Sequence, residues 1–421
     1  MSGVKTHIST DTISEINPRS VAVILVVTIA VALSGAQFAA TSISVFLSDI
    51  TSDYGWSRAQ ISGAITMLYL GMAVGTPLFG IAFDRFGPRV VMLPLTFFSG
   101  ILIASFAATG ASLALFYGAH VLLGIAQPGM VAYSKTISTW FARRRALALS
   151  AIAVGILVSQ IGVPPLARYL LEEFGWHRAY LFFGATEILI ALPLLALFFW
   201  DRPLRAPQSA MAATAQPPTS HPKPGAYLGQ ALKTRVYWHL VAGQVCISFC
   251  YLSVTVHAVG ILTERGVAAA TAVWGLSTFA AGGLSAKLII GFLLDRVDTP
   301  RIIAPFAVLS LISLLIIRFG EGSALSLAAL FGFGFGCVAC GPMAYLTTRY
   351  FGVRAFSTIY GSTVPIMTFL GAGAPVLAGL IYDSSGSYDW ALSAACIVML
   401  VAVVLFLTLP PYRFRVNDQA S

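Results

Sequence analysis

Charge is scarce in this chain. Asp, Glu, Lys and Arg together make up 10% of its 421 residues, where a soluble domain carries about 25%. With 57% hydrophobic residues and a mean hydropathy of +0.84, that deficit excludes an ordinary soluble globular protein. It equally excludes a disordered chain, which stays unfolded because it is polar and charge-rich. Cysteine is scarce too. Five in the whole length, all inside apolar runs, exclude a secreted disulfide scaffold. No G-x-x-x-x-G-K-[ST] string occurs, so nothing supports nucleotide-driven pumping. No catalytic triad, zinc cluster or haem motif stands out, so neither an enzyme nor a cofactor is expected.

What the chain has instead is long apolar sequence. Twelve runs fall near 20–49, 57–83, 89–108, 111–138, 144–170, 177–200, 236–263, 269–295, 300–319, 323–347, 354–382 and 387–410. Each is long enough to cross a ~30 Å hydrocarbon core as a helix of about 20 residues. Continuous runs of that length are not the ~10-residue alternations of a β-barrel. The first run extends to Phe46, too long for a signal-peptide core. The fold class is therefore an all-α integral membrane protein with twelve transmembrane helices. Residues 201–235 hold six of the 21 prolines among Ala, Ser and Gln and read as a solvated linker. The expected division is a tail over 1–19, six helices over 20–200, the linker over 201–235, six helices over 236–410 and a tail over 411–421. Leu228 and Leu232, spaced i, i+4, predict a short surface helix at the linker's end.

Basic residues set the orientation. With both termini in the cytoplasm, eighteen of the 25 Lys and Arg lie inside and five outside; Lys135 and Lys287 fall within spans. The net charge of +9 is thus a topology signal. A nucleic-acid partner would need a basic soluble domain, and the chain has none.

The two halves repeat each other. Span two runs out into Gly80-Ile-Ala-Phe-Asp84-Arg85-Phe-Gly87-Pro-Arg89, and span eight into Gly291-Phe-Leu-Leu-Asp295-Arg296-Val-Asp298-Thr-Pro-Arg301, 211 residues later. Gly124 to Tyr133 in span four is echoed by Gly336 to Tyr345 in span ten, 212 residues later, and Trp140-Phe141 with Arg144 by Tyr350-Phe351 with Arg354. Two six-helix halves related by an axis along the membrane normal form a known transporter architecture.

The G-x-x-x-D-R-x-G-x-R string at 80–89 resembles the signature of the major facilitator superfamily. That resemblance, with twelve spans and a central linker, covers nearly the whole chain. It implies alternating access and a cytoplasmic latch in which Asp84 meets the N-terminal end of a helix in the opposite half, where the macrodipole favours anions. Arg85, Arg89, Arg144, Asp295 and Arg296 complete the latch set. Trp140 to Gly155, with Arg143, Arg144 and Arg145 followed by Leu147-Ala148, resembles the second signature of monocarboxylate porters, from which Ser150, Ile152 and Val154 depart. Their first signature is replaced by Ile16-Asn-Pro-Arg-Ser20. Asp53-Tyr-Gly-Trp56-Ser-Arg58-Ala-Gln60 is similar to bacterial members of this branch and of the oxalate/formate antiporter branch. The branch also holds carriers of neutral or larger cargo such as riboflavin, so the cargo stays open.

Ionisable groups inside hydrocarbon are costly and mark candidate sites. Lys287, four residues before Gly291, stands where carboxylate-carrying relatives place a basic residue that meets the substrate. Position 283 is Gly, so the acid those relatives carry one turn earlier is absent. The competing reading is a Lys that snorkels to the near surface, and this is the reading favoured for Lys135. Glu187 in span six, His120 and His257 are candidates for proton linkage, weighed against buried structural hydrogen bonds. Spans one, four, seven and ten line the cavity in the family the chain resembles. Their polar members Gln37, Tyr133, Tyr251, Thr255 and Tyr345 either bind cargo or tie helices together. The expected function is secondary transport of a small organic solute, an anionic carboxylate for preference, by a protein that works as a monomer in the cytoplasmic membrane. A proton or a counter-transported solute is the coupled partner. Vitamin uptake and drug efflux are the alternatives.

Overall fold

The computed structural model describes residues 17–127, 129–141, 145–201, 225–297, 299–339, 342–352 and 354–412. Arg144, most of the predicted linker and both tails lie outside them, as does the Asp295 side chain. Eleven helical stretches among the described residues are long and apolar enough to cross a membrane. Span one is Pro18–Tyr54, span two Arg58–Phe86, span three Pro88–Ala108 and span four Leu113–Trp140. After the linker come span seven (Arg235–Glu264), eight (Ala269–Leu294), nine (Pro300–Phe319), ten (Ser323–Phe351), eleven (Thr358–Ser385) and twelve (Asp389–Leu407). The stretch between, Ala148–Phe198, runs 51 residues and breaks at Gly175, whose φ of 79° and ψ of 160° belong to no helix. Glycine alone takes that backbone without strain. Ala148 lies beside Ser20 at one end of span one. Trp176 and His177 bond Asp53 and Tyr54 at its other end, and Trp200 returns to Arg19. The stretch is therefore a hairpin of two crossings, five (148–174) and six (176–198), and the crossings number twelve. The short helix Leu228–Leu232 precedes span seven.

Helix ends follow from local sequence. Asn17 and Ser57 begin spans one and two with reciprocal capping boxes to Ser20 and Gln60, each satisfying orphan N–H groups. Gly55 ends span one in the left-handed region, φ 68°. The Asp53 to Gln60 string thus encodes a tight turn between two helices. Its Trp56 ring is buried against Tyr54 and Phe116.

Glycines set the closest helix contacts, and they obey the repeat. A Cβ on Gly71 of span two would strike the Val121 backbone of span four; a Cβ on Gly282 of span eight would strike the Phe331 backbone of span ten. The first contact maps onto the second with nearly the same offset as the sequence motifs. Without water between helices, such backbone approach supplies much of the packing energy in a bilayer. Gly71→Leu should therefore leave little monodisperse protein in size-exclusion chromatography of a fluorescent fusion. Overpacking costs about 1–3 kcal/mol even where a core can adjust, and here the obstacle is backbone. A normal elution profile would show that the two helices can separate.

The face carrying Pro18, Phe86, Asp201 and Gly225 is the linker face; the opposite one is the distal face. Among the described residues, the hydrogen bonds that join the halves lie at mid-membrane or toward the distal face. Gln160 Nε2 donates to Tyr251 Oη at 3.1 Å, Ser277 to the Ile161 carbonyl at 2.7 Å, Thr66 to the Ala372 carbonyl at 2.5 Å and the Val259 N–H to Ser44 at 3.2 Å. None joins the halves at the linker face among those residues.

Candidate functional site

Two adjoining cavities, of about 260 and 400 Å³, share Tyr69, Tyr251 and Leu252 and lie between the halves. The first holds Gln37, Thr41, Gln160 and Thr255 over an apolar floor that includes Phe279. The second holds Gln244, Ser248, Thr368 and Lys287. Apolar and aromatic walls with a few convergent polar groups are the usual composition of a small-molecule site. The walls come from spans one, two, five, seven, eight, ten and eleven.

Lys287 is exposed to the second cavity and enters none of the ion pairs among the described residues. Gly283 stands one turn before it, packed on Val338, where a local acid would have neutralised it. The cation is thus held beside Tyr69 and Tyr251 without a counter-charge among the described residues. Tyr251 accepts from Gln160 across the halves, and Thr255 bonds the Tyr251 carbonyl at 2.8 Å. Gln37, Tyr251, Thr255 and Lys287 are therefore brought together.

Two predicted members are not. Tyr133 is 5% exposed and packs edge-on to Phe199 at 5.7 Å inside the first half. Span four breaks at Ala126–Gln127, and the segment bearing Tyr133 lies toward the linker face. Tyr345 donates to the Leu294 carbonyl at 3.2 Å and stands edge-on to Tyr412, also toward the linker face. Both tie helices together. The polar cavity residues missed in the sequence are Tyr69, Gln160 and Thr368, in spans not expected to line it, with Thr41, Gln244 and Ser248 of spans one and seven. Their mid-span positions were the available signal.

The latch set differs from expectation in one respect. Asp84, 80% exposed at its side chain, pairs with Lys135 of its own half at 2.7 Å, and Lys135 also donates to the Phe83 carbonyl at 2.8 Å. Lys135 is thus an ion-pair partner and the C-terminal cap of span two, more than a snorkelling residue. No hydrogen bond or ion pair joins the halves at this face among the described residues, and Asp84 takes a cation from its own half. Arg89 donates to the Ala196 carbonyl in the last turn of span six, and its N–H bonds Asp201 at 2.8 Å. Arg85 and Arg296 lie over the rings of Phe86 and Phe292.

The distal face is sealed mostly by groups the sequence did not single out, with His257 the exception. The Asp383 carboxylate, at the end of span eleven, accepts from the Arg58 and Ala59 N–H groups, both at 3.0 Å, at the start of span two. The Arg58 guanidinium lies 3.9 Å from the Tyr382 ring centroid and donates to Tyr388 Oη at 2.6 Å. His257, 1% exposed, continues the chain. The Pro375 carbonyl, which can only accept, lies 2.9 Å from Nε2 and fixes the proton there. Nδ1 then accepts from Tyr388 Oη at 3.0 Å. Ser62 of the first half is 3.2 Å from Nε2. His257 is therefore part of the seal between the halves. His120 is buried with Nδ1 on the Phe116 carbonyl at 2.8 Å and its ring stacked on Phe106, a structural place inside the first half. Glu187 is buried on Ser99 and Gln127.

Comparison with known proteins agrees with this geometry. The model of the Major Facilitator Superfamily matches residues 27–374. Human monocarboxylate transporter 11 is 28% identical over 369 residues, 84% of this chain and 75% of that one. The 2-nitroimidazole transporter of Escherichia coli K12 is 26% identical over 379 residues, 86% of this chain and 89% of that one. The crystal structure of a bacterial homologue of the human lysosomal transporter Spinster, inward-facing and occupied, superposes with a TM-score of 0.75 at 15% identity, covering 96% and 99% of the two chains.

Proposed function

Since the chain belongs to the Major Facilitator Superfamily, and is accordingly a multi-pass membrane transporter of small molecules and not an enzyme, we propose that its cargo is a small organic carboxylate. The observation that carries this reading is Lys287. A cation at the centre of a span costs ~2.5–3.5 kcal/mol on insertion scales, and no acid among the described residues pairs with this one. An anionic cargo supplies the partner. Tyr69, Tyr251 and Phe279 offer flat apolar surface to its body, and Gln37 and Gln160 offer hydrogen bonds to further polar atoms. Basic asymmetry supports a cytoplasmic linker face, so the conformation is read as inward-open with its outer side shut. Relatives named as monocarboxylate transporters favour the same cargo class.

A second reading has its own support. A relative named for a neutral heteroaromatic, 2-nitroimidazole, and a cavity with two tyrosines and two glutamines both suit a neutral ring. Counterflow in proteoliposomes separates the two. Vesicles preloaded with unlabelled monocarboxylates of graded size should draw in labelled carboxylate, and the matching amides should not exchange. Exchange of amides and nitroimidazoles with carboxylates excluded would put the second reading in place of the first.

A further inference from the structure

Three of the first half's helices are broken, and the breaks meet at one carboxyl group. Span one is interrupted at Leu33–Ser34, and its second segment starts at Gly35. Span four is interrupted at Ala126–Gln127. Span six leaves α-helical geometry in a π-helical turn, Glu187–Ala191, that begins on the acid itself. Glu187 is 2% exposed. Its Oε2 accepts from Ser99 Oγ at 3.0 Å, its Oε1 from Gln127 Nε2 at 3.4 Å, and the Gly35 N–H also points at it. Gln127 Nε2 is 2.5 Å from Ser99 Oγ, which closes the ring of contacts. Ser34, the residue placed to cap the second segment of span one, makes no side-chain cap bond. The carboxyl fills that role from a neighbouring helix. It sits so close that a Cβ on Gly35 would lie 2.9 Å from Oε2.

No cation accompanies this acid. It enters none of the ion pairs among the described residues. The ionisable group that feels its charge is Tyr133 of span four. Arg89 of span three is engaged with Ala196 and Asp201, and His120 of span four with Phe116 and Phe106. Spans one and five and the rest of span six present no described Lys, Arg or His to it. An isolated carboxylate in so dry a place is held only by neutral donors and the N-terminal end of a helix segment. A proton would remove the charge and make one oxygen a donor. Ser99 Oγ, able to accept as well as donate, would then reverse its bond, and the Gly35 cap would weaken. Gln37 and Thr41, two and six residues beyond Gly35, line the cargo cavity on that same capped segment.

We propose that Glu187 is the site that binds and releases the coupling proton of the transport cycle. The proton comes from water on one side of the membrane, forms an O–H bond on Glu187, and returns to water on the other side. Its presence changes the joint that carries Gln37 and Thr41, which gives cargo and proton a shared two-state element. This rests on the transporter reading above but on neither choice of cargo.

The first test needs no cargo. Infrared difference spectra of the full-length protein in lipid, taken from acid to alkaline pH, should show a buried carboxyl band that titrates. The band should be missing in Glu187→Gln. The second test uses proteoliposomes with the labelled carboxylate of the counterflow experiment. Glu187→Gln should keep exchange near the parent rate and lose gradient-driven accumulation by about tenfold or more, within the usual range of coupling between sites. Glu187→Asp should recover part of it. A carboxyl that stays in one protonation state across the range in the parent would overturn the proposal. So would accumulation by Glu187→Gln equal to the parent's. If Glu187→Gln fails to fold, the parent's titration and the Glu187→Asp band shift still decide. If the parent moves no carboxylate, the cargo reading fails while the infrared result stands.

Discussion

Lys287→Glu is expected to abolish carboxylate transport, and Lys287→Gln to lose most of it. On the proposed reading the cargo anion meets a cation that has no protein partner among the described residues, beside Tyr69 and Tyr251. Hydrogen bonds to charged groups are worth about 1.5–3 kcal/mol, which is roughly 10- to 100-fold in affinity. Gln keeps a donor and loses the charge, so the loss should appear first as a raised half-saturation constant for exchange. Arg restores charge with a fixed planar fork in place of a mobile ammonium, and Lys287→Arg should retain a substantial part of the rate. Glu places like charges together and leaves no productive pose. The readout is counterflow at equal amounts of reconstituted protein, with thermal unfolding as the check on folding. Should Lys287→Gln exchange carboxylate with unchanged affinity and rate, Lys287 is a snorkelling residue, and the neutral-cargo reading gains the ground it loses.

Much of this architecture was legible in the sequence because membrane insertion leaves few alternatives. A backbone in hydrocarbon must satisfy its own hydrogen bonds, so a long apolar run is a helix. The repeat was legible for a related reason: Gly71 and Gly282 each serve a backbone contact that tolerates no side chain. The breaks inside spans one and six were not legible, whereas Pro128, a helix breaker, flagged the one in span four. Leu33-Ser34 carries no Pro or Gly at the break itself, and the π-helical turn at Glu187 depends on a carboxyl group reaching three other helix positions. The cavity was half legible. Charge flags Lys287 by its cost, whereas Tyr69 and Gln160 are polar residues of a kind that tie helices as readily as they bind solutes. Tyr133 and Tyr345 show the converse, since both fall on the linker-face side of the cavity, Tyr133 beyond the break in span four. Apart from His257, flagged as a buried ionisable group, the seal at the distal face was invisible because its terms are tertiary. Ser57 and Gln60 announce that a helix begins, but nothing local says that Asp383, more than three hundred residues away, will occupy its free N–H groups.

That seal makes a strong and signed prediction when set against the latch on the opposite face. Asp383, at the end of span eleven, holds the start of span two; Asp84 stands at the end of span two, where no hydrogen bond joins the halves among the described residues. The same helix pair thus carries an acid at each end, and only the distal one is engaged across the halves. Removing the Asp383 charge should weaken the distal seal and so favour the alternative state, in which that face opens and the linker face closes. A carboxylate at a helix N-terminus is worth about 0.3–1 kcal/mol when exposed and up to ~2 when partly buried, so Asp383→Asn should raise the outward-open population roughly 2- to 30-fold. Arg58→Ala, which also loses the Tyr388 bond and the Tyr382 ring contact, should add to it. Spin labels at Ser52 and Ser384, both exposed on the distal face in opposite halves, read this as a longer inter-label distance. Asp84→Asn should act with the other sign. It removes the acid that linker-face closure is expected to use, so the labels should report still less outward-open protein, with transport impaired and cargo binding largely kept. In the double variant the two shifts should partly cancel, because each biases the same two-state equilibrium. A shift of the same sign from Asp383→Asn and Asp84→Asn would mean that the two acids do not oppose one another, and the reciprocal arrangement on spans two and eleven would lose its mechanical meaning.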